Sequence, residues 1–554
     1  MAGYFNEGVL VEWDEDRDSA LVDSYKVWIC DPKQTTRCFT PFDLWMLQQN
    51  YDNHGIPYAH DYLAIPQCKG FDSKLRNGWV YQGSIFTTDE ERKEREPKFK
   101  KRIAPWIADP VKEYNKGVDE LMERYDRFKA LEMEKLEDWE LKDALQEWLL
   151  LYRRGSNLHF IWMVAGAVLY PMFEDACKEF AGVDKYDPLF NDLMGGFDHK
   201  LIETDRGLFQ MGVKAREMGL ESLFETSDDE ELLSRLEQSE SGKDWIQELG
   251  EFLDEYGWRT VGNWDAGNPT WVEKPSQVMS MIKRFMSQRT FPVDEARPGL
   301  IEKRGKARDE LISRVPADKK EVFSNLISAA QWSVVENEEH VFYCENYGNA
   351  LGRYVTREIG KRFAKAGAID DPHDIYYMLP EEIDVRIISK YSAKKTVKAR
   401  KKQHEDFRKA EPEPFIGDPT NIGEVIANSP MLRTTVAPFP RVRPELKADL
   451  YGTVAAPGVV EGVVNVLTSE DDFSKFKPGE ILVTIETSSA WTPLFSMAKA
   501  VVTDVGGILS HSAIAGREYG LPVISGCIDG TKKLKSGMKV KVDGDQGVLY
   551  ILEK

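Results

Sequence analysis

His511 stands in VVTDVGGILSHSAIAGREYG, among residue types that can turn an imidazole into a nucleophile. A β-type run ends at Asp504, Gly506 and Gly507 let the backbone turn without a Cβ penalty, and Ser510 is a natural N-cap. This spacing predicts a helix over 510–518 with His511 in its first turn, among unsatisfied backbone N–H groups at the positive end of the helix dipole. The positive potential opposes protonation and favours the neutral ring. The same N–H groups would receive the oxygens of a phosphoryl group placed on it. A phosphohistidine passes its phosphoryl group onward, which is nucleophilic catalysis in two steps. A lone histidine near a helix start is also often only a cap or a surface residue, and spacing alone leaves both readings open.

The elements that must hold this segment are legible around it. GTVAAPGVVEGVVNVLT, GEILVTIET, AKAVVTDVG, PVISGC and MKVKVDGDQGVLYIL are short β-type runs bounded by Gly, Pro and Asp, with a hairpin turn expected at 543–547. Residues 450–554 thus read as a compact α/β domain. Before it, 389–449 joins a basic run, KYSAKKTVKARKKQHEDFRK, to a stretch dense in Pro, Gly, Asn and Thr. The first reads as a solvated helix face and the second as a semi-rigid linker suited to a domain that travels.

Residues 91–388 carry apolar residues at three- and four-residue spacing, the pattern of a mainly α domain, with stops expected at 182–184, in VGNWDAGNPTW and at ARPGL. Residues 1–90 mix turn formers and aromatics and read as short strands, turns and a helix. Thirteen of the fourteen tryptophans precede residue 445. That enrichment suits an aromatic pocket as well as ordinary core packing.

Bulk composition sets outer limits. With 73 basic and 93 acidic residues the net charge is −20, which repels nucleic acid and anionic membrane. The six cysteines are scattered without metal-type spacing, so reduced thiols are expected and no metal site is assigned. The N-terminus lacks the basic and apolar regions of a signal peptide, and the apolar run at 159–170 is short for a bilayer span and reads as a buried helix. A cytoplasmic protein with no nucleic-acid or membrane partner is expected.

Residues 452–552 resemble the swivelling phosphohistidine domain of phosphoenolpyruvate-utilising enzymes. The resemblance is carried by Thr503, Gly506, Gly507, Ser510, His511, Ala513, Arg517, Glu518, Gly520, Pro522 and Val523, with 456–458 and 487–493 upstream. FLDEYGWRTVGNWDAGNPTWVEKPSQV and GRYVTREIGKRFAKAGAIDDPHDIYYMLPEEI are similar to acceptor-domain segments of rifampin phosphotransferases and phenylphosphate synthases. One departure is Leu509, which stands where dikinase-type members have Thr.

The resemblance implies that His511 is the phosphoryl carrier and that Gly506, Gly507, Ser510, Ser512 and Arg517 receive the phosphoryl group. Neither an ATP-grasp region nor a phosphoenolpyruvate barrel is recognisable in the 554 residues. It therefore implies that ATP and Mg²⁺ are bound mainly by a separate ATP-grasp subunit, which charges His511 with the ATP β-phosphoryl. The domain then delivers it to a phenol such as cresol, giving an aryl phosphate, as in two-component phenylphosphate synthases. A split antibiotic or alcohol phosphotransferase and a non-catalytic phosphocarrier are the alternatives. A phenol of pKa about 10 needs a base or cations beside it. The candidates are His340 and Arg259 for catalysis, and Arg353, Arg357 and His159 for acceptor binding. Each also has an ordinary structural role open to it.

Overall fold

The computed structural model describes residues 25–30, 38–184, 187–259, 266–436 and 443–553, together with 5–6, 9–10, 13–14 and 18. A long helical domain is followed by a sheet domain that packs against it.

Residues 38–90 supply two helices, α1 (Pro41–Gln48) and α2 (Gly55–Leu63), and two strands, β2 (Cys68–Arg76) and β3 (Trp79–Phe86). With β1 (Val27–Cys30) and β4 (Phe415–Gly417) these strands form a four-stranded sheet ordered β2-β3-β1-β4, every pair antiparallel. The Pro-rich stretch is therefore less of a tether than its composition suggests. Phe415–Gly417 closes the N-terminal sheet, and Ile422, Val425, Met431 and Leu432 lie in the main core. Apolar spacing inside the loop-like sequence decides this, because Pro at 412, 414 and 419 falls outside the strand and cannot break its ladder.

The helical region opens at α3 (Asp89–Ala108), where Thr88 and Glu91 form a reciprocal capping box. It continues through α4 (Pro110–Lys129) and α5 (Asp138–Ala176), which spans 39 residues. Helix α5 with its π-helical extension to Ala181 is long and apolar enough to cross a membrane by length and composition, more so than the short apolar run suggests. Yet 78% of that apolar window is buried within the fold. Gly182 ends it in the left-handed conformation, φ 68°, at the expected stop.

Helices α6 (Lys200–Glu217), α7 (Glu240–Tyr256) and α8 (Ser276–Met286) form a second layer. Helix α9 (Pro292–Arg314) runs through ARPGL instead of stopping there. Pro298 is exposed, so the carbonyl it displaces, that of Asp294, can turn to water and the helix survives. Helices α10 (Lys320–His340) and α11 (Tyr347–Lys365) are one continuous rod joined by a π-helical turn, Val341–Asn346. Helix α12 (Pro380–Ser389) precedes α13 (Lys394–Phe407), the basic segment. Half of α13 is exposed, but Arg400 is buried against Glu382 through two hydrogen bonds.

The C-terminal domain is an eight-stranded sheet. Its strands are β5 (Leu450–Tyr451), β6 (Thr453–Ala456), β7 (Val459–Val466), β8 (Ile481–Thr484), β9 (Ala500–Thr503), β10 (Val523–Ser525), β11 (Lys539–Asp543) and β12 (Val548–Glu553). They are ordered β5-β12-β11-β7-β8-β9-β10-β6, and the run from β7 to β10 is parallel. The expected hairpin joins β11 to β12, with Asp543 opposite Val548. Helix α14 (His511–Glu518) is the crossover between parallel β9 and β10. A βαβ crossover of this kind puts the start of its helix at the carboxyl edge of the sheet, and that is where His511 sits.

Candidate active site

His511 is the first residue of α14, with Ser510 extended before it. The Ser510 hydroxyl does not cap the helix as its residue type predicts. It donates to the Gly507 carbonyl at 2.8 Å and lies 3.1 Å from the Ser512 hydroxyl, which in turn is 2.9 Å from that of Ser525. Gly506 has φ 123°, and a Cβ there would lie 2.7 Å from Ser510 Oγ, so only glycine serves this turn. Arg517 is buried and donates to the carbonyls of Ala455 and Ile508 at 3.1 and 2.9 Å. Ser510, Ser512 and Arg517 thus brace the loop from behind. His511 Nδ1 lies 2.9 Å from Thr487 Oγ1, and its ring meets Phe495 edge-on at 6.1 Å.

The face that carries His511 is docked on the helical domain. Leu509 is buried and belongs to one apolar cluster with Ile514, Tyr170, Phe173, Phe323 and Val334. Its carbonyl accepts a hydrogen bond from Asn337 of α10. An apolar side chain in place of the usual Thr therefore has a packing role here. Two buried carboxylates pin the same interface. Glu518 Oε2 accepts from the backbone N–H of Gly196 and of Phe197, each at 3.0 Å. Asp205 accepts from the Thr492 hydroxyl and the Tyr519 phenol, each at 2.8 Å. Burial pushes both carboxyls up to about 7, against the pull of their hydrogen bonds and of Arg517 and Arg304 near Glu518, and Arg259 near Asp205.

Arg259 sits just behind this interface. It donates to Thr204 Oγ1 at 3.2 Å and stacks over Trp271 and Phe342 at 4.8 and 5.4 Å. Burial pulls its guanidinium down to about 10. On the other side Lys200 lies 5.7 Å from the Phe342 ring while paired with Glu203 at 2.6 Å. Arg353 and Arg357 lie apart from this group. They clamp Glu273 of the PTWVEKP segment at 2.5 and 2.8 Å, and Arg353 also donates to the carbonyls of Ala266 and Gly267. Two sequence segments of the expected acceptor domain are thereby tied together; the loop residues between 260 and 265 lie outside the described residues.

His340 and His159 are brought together, with ring centroids 4.5 Å apart, and both are fully buried beside Glu336 and Glu345. Burial opposes protonation of His340, but Glu336 and then Glu345 outweigh it and hold its pKa above the usual value. Glu339, one residue earlier, stands out in the structure and not in the sequence. It is half-buried, and burial, aided by Glu203 and Glu336 and resisted by Tyr114 and Lys200, pushes it up to about 7. Its only sequence signal is its place between Asn337 and Tyr343 on a helix that touches the His511 loop.

Residues 476–547 match the family described as the mobile domain of PEP-utilising enzymes, and residues 159–338 match the fourth domain of rifampicin phosphotransferase. The chain is 28% identical over 420 residues to an uncharacterized phosphotransferase, YvkC, of Bacillus subtilis (strain 168), covering 74% of this chain and 48% of that protein. It is 26% identical over 336 residues to a rifampicin phosphotransferase of Bacillus cereus, covering 59% of this chain and 36% of that protein. The C-terminal region is 48% identical over 108 residues to a phosphoenolpyruvate synthase of Aeropyrum pernix, 19% of this chain and 13% of that enzyme. Matches to a PEP-utilising mobile domain and to a rifampicin phosphotransferase domain therefore occur together in this chain. The chain spans about half the length of the first of these relatives.

Proposed function

We propose that this chain is a phosphotransferase in which His511 Nε2 takes a phosphoryl group and the helical domain binds the acceptor whose hydroxyl receives it. The observation that carries the reading is the placement of His511 at the start of α14, with Nδ1 against Thr487 and with its loop docked on α10. If Nδ1–H donates to Thr487 Oγ1, the lone pair resides on Nε2. That nitrogen attacks phosphorus as the donor P–O bond breaks. In the second step the acceptor oxygen attacks, the P–N bond breaks and a carboxylate takes the hydroxyl proton.

Glu339 suits that last role. A carboxyl near pKa 7 is matched to proton transfer at neutral pH, and it is half-open where His340 is enclosed. Arg259, which acts on Asp205 of the docked interface, is the cation this reading assigns to offset charge on the phosphoryl group in flight.

In this reading the acceptor is a phenol. The cation-flanked ring of Phe342, with Tyr256 and Tyr343, forms the aromatic surroundings such a ring would enter. The match to a rifampicin phosphotransferase domain favours a second reading, an antibiotic-type alcohol. ATP and Mg²⁺ enter on a separate ATP-grasp subunit. Mg²⁺ takes oxygen ligands and water, whereas the candidate metal-ligand group among the described residues is rich in imidazole, so no step is assigned to Mg²⁺ on this chain.

The test is incubation with an ATP-grasp partner and ATP labelled at the β position, then with phenols or alcohols. Wild type should acquire label as phosphohistidine and discharge it to a phenol, and His511→Ala should acquire none. Labelling of His511→Ala would overturn the proposal.

A further inference from the structure

The buried group beneath the docked interface has the make-up of a metal site. His159, His340 and Glu345 each offer one ligand atom, and these atoms lie within 4.8 Å of one another. The three side chains are only 2%, 3% and 1% exposed. His159 Nε2 is 3.7 Å from a Glu345 oxygen. Two imidazoles and one carboxylate form the donor set that three-ligand zinc sites use, with a fourth position left for another ligand.

Each ligand comes from a separate turn of a rigid element. His159 is on α5, His340 ends α10, and Glu345 lies in the π-helical turn 341–346. In a regular α-helix residue 345 is five positions beyond His340 and lies well round the axis from it. The wider π turn brings position i+5 back above position i. Single π turns of this kind recur at functional sites. Gly166 on α5 lets α10 approach closely, since a Cβ there would lie 3.2 Å from Glu336 Oε2.

The outer shell is also present. His340 Nδ1 lies 2.9 Å from the Glu336 carbonyl oxygen and 3.2 Å from its carboxylate. A metal-bound histidine typically donates its other ring N–H to such a carbonyl or carboxylate, which fixes the ring and leaves Nε2 for the metal. His159 Nε2 also lies 2.9 Å from Met163 Sδ, a contact that a bound metal ion would replace.

We propose that His159, His340 and Glu345 bind one divalent transition-metal ion of the zinc class, with Glu336 orienting His340. The cation balances the buried Glu336 and Glu345 carboxylates in a region that excludes water. Adjacent ligand atoms of a tetrahedral zinc site stand about 3.3 Å apart, so binding draws the three atoms inward from their present spacing. The site is distinct from His511, and its role is to fix α5 to the α10 end that supports the acceptor region.

The test uses the full-length chain. Purified protein is stripped with a chelator, then titrated with zinc chloride or cobalt chloride and dialysed. About one metal ion per chain should remain by elemental analysis, Tm should rise with zinc, and the cobalt form should show the intense visible absorption of a low-coordinate site. Glu345→Gln, with unchanged far-UV circular dichroism, should lose at least tenfold in cobalt affinity, and His511→Ala should keep it. Should Glu345→Gln fail to fold, the wild-type titrations decide by themselves. Sub-stoichiometric retention of both metals by wild type, or undiminished cobalt affinity in folded Glu345→Gln, would overturn the proposal.

Discussion

In the proposed reaction the chemistry at residue scale divides between two side chains that the sequence marks very unequally. His511 is announced by glycines, a serine and a βαβ frame that all lie within twenty residues of it. Glu339 is an ordinary acidic residue on a helix until the fold sets Glu203, Tyr114 and Lys200 around it. A raised pKa of this sort depends on tertiary neighbours and on exclusion of water, neither of which a single sequence displays. The difference yields a pair of predictions. A base must be ionised to act, so transfer from phospho-His511 to the acceptor should rise with pH through about 7 and then level. Glu339→Gln should remove that limb and slow transfer by about 10²–10⁴-fold, with labelling of His511 unchanged; single-turnover rates across pH separate the two steps. Thr487→Val acts on the other step. Losing one hydrogen bond that orients the nucleophile, worth about 1–1.5 kcal/mol, should slow labelling of His511 roughly tenfold without altering the pH limb of discharge. A Thr487→Val enzyme labelled as fast as wild type would show that the hydroxyl does not hold the ring.

Elements were legible where period and punctuation agree, and obscured where one long-range contact overrules them. The helix after Ser510, the stop at Gly182 and the hairpin at 543–547 follow from local residue types. The strand at Phe415–Gly417 does not, because its partner Val27–Cys30 lies at the other end of the helical domain and no local pattern encodes that pairing. The same is true of the π turn at 341–346. Its sequence reads as continuous helix, and the extra residue shows only in the alignment of Glu345 with His159 across to α5. For that reason the sequence offers His340 as a candidate for catalysis and His159 as a candidate for acceptor binding with nothing to join them, although one cluster holds them both. Helix α14 gives a sharper test of element packing. A Cβ on Gly516 would sit 2.1 Å from Val523 Cγ2, so the helix can lie on β10 only with glycine there. Gly516→Ala must push α14 off the sheet, and overpacking of this type costs about 1–3 kcal/mol. Thermal unfolding should show that loss, and because the shift carries His511 with it, labelling should fall as well. Gly299→Ala, where nothing lies within 4 Å, should do neither.

At the scale of the whole molecule the proposed function requires the sheet domain to leave the helical domain, and the question is what releases it. The docked arrangement buries Leu509, Ile514, Ala513 and Tyr519 in clusters shared with the helical domain, so leaving exposes apolar surface and is disfavoured by the hydrophobic effect. Asp205 and Glu518 work in the opposite sense. Both are held in the interface with pKa near 7, Asp205 facing Thr492, Tyr519 and Arg259, and Glu518 facing the Gly196 and Phe197 N–H groups, Arg517 and Arg304. Undocking hydrates them and returns them to about 4. The docked state therefore binds more protons than the undocked state between about pH 4 and 7. Docking is strongest at the acid end of that window and weakens as pH rises through it, by up to about tenfold per pH unit for each carboxyl, with no further change above it. Fluorescence transfer between dyes placed on the two domains should show the docked fraction falling from pH 5 to pH 7 and then holding steady. The double variant Asp205→Asn, Glu518→Gln keeps acceptors for the same donors but has no charge to lose, so its docked fraction should not vary with pH. A wild-type docked fraction that rises with pH would mean that the two carboxylates lock the mobile domain in place, and that its release must be driven by phosphorylation of His511 alone.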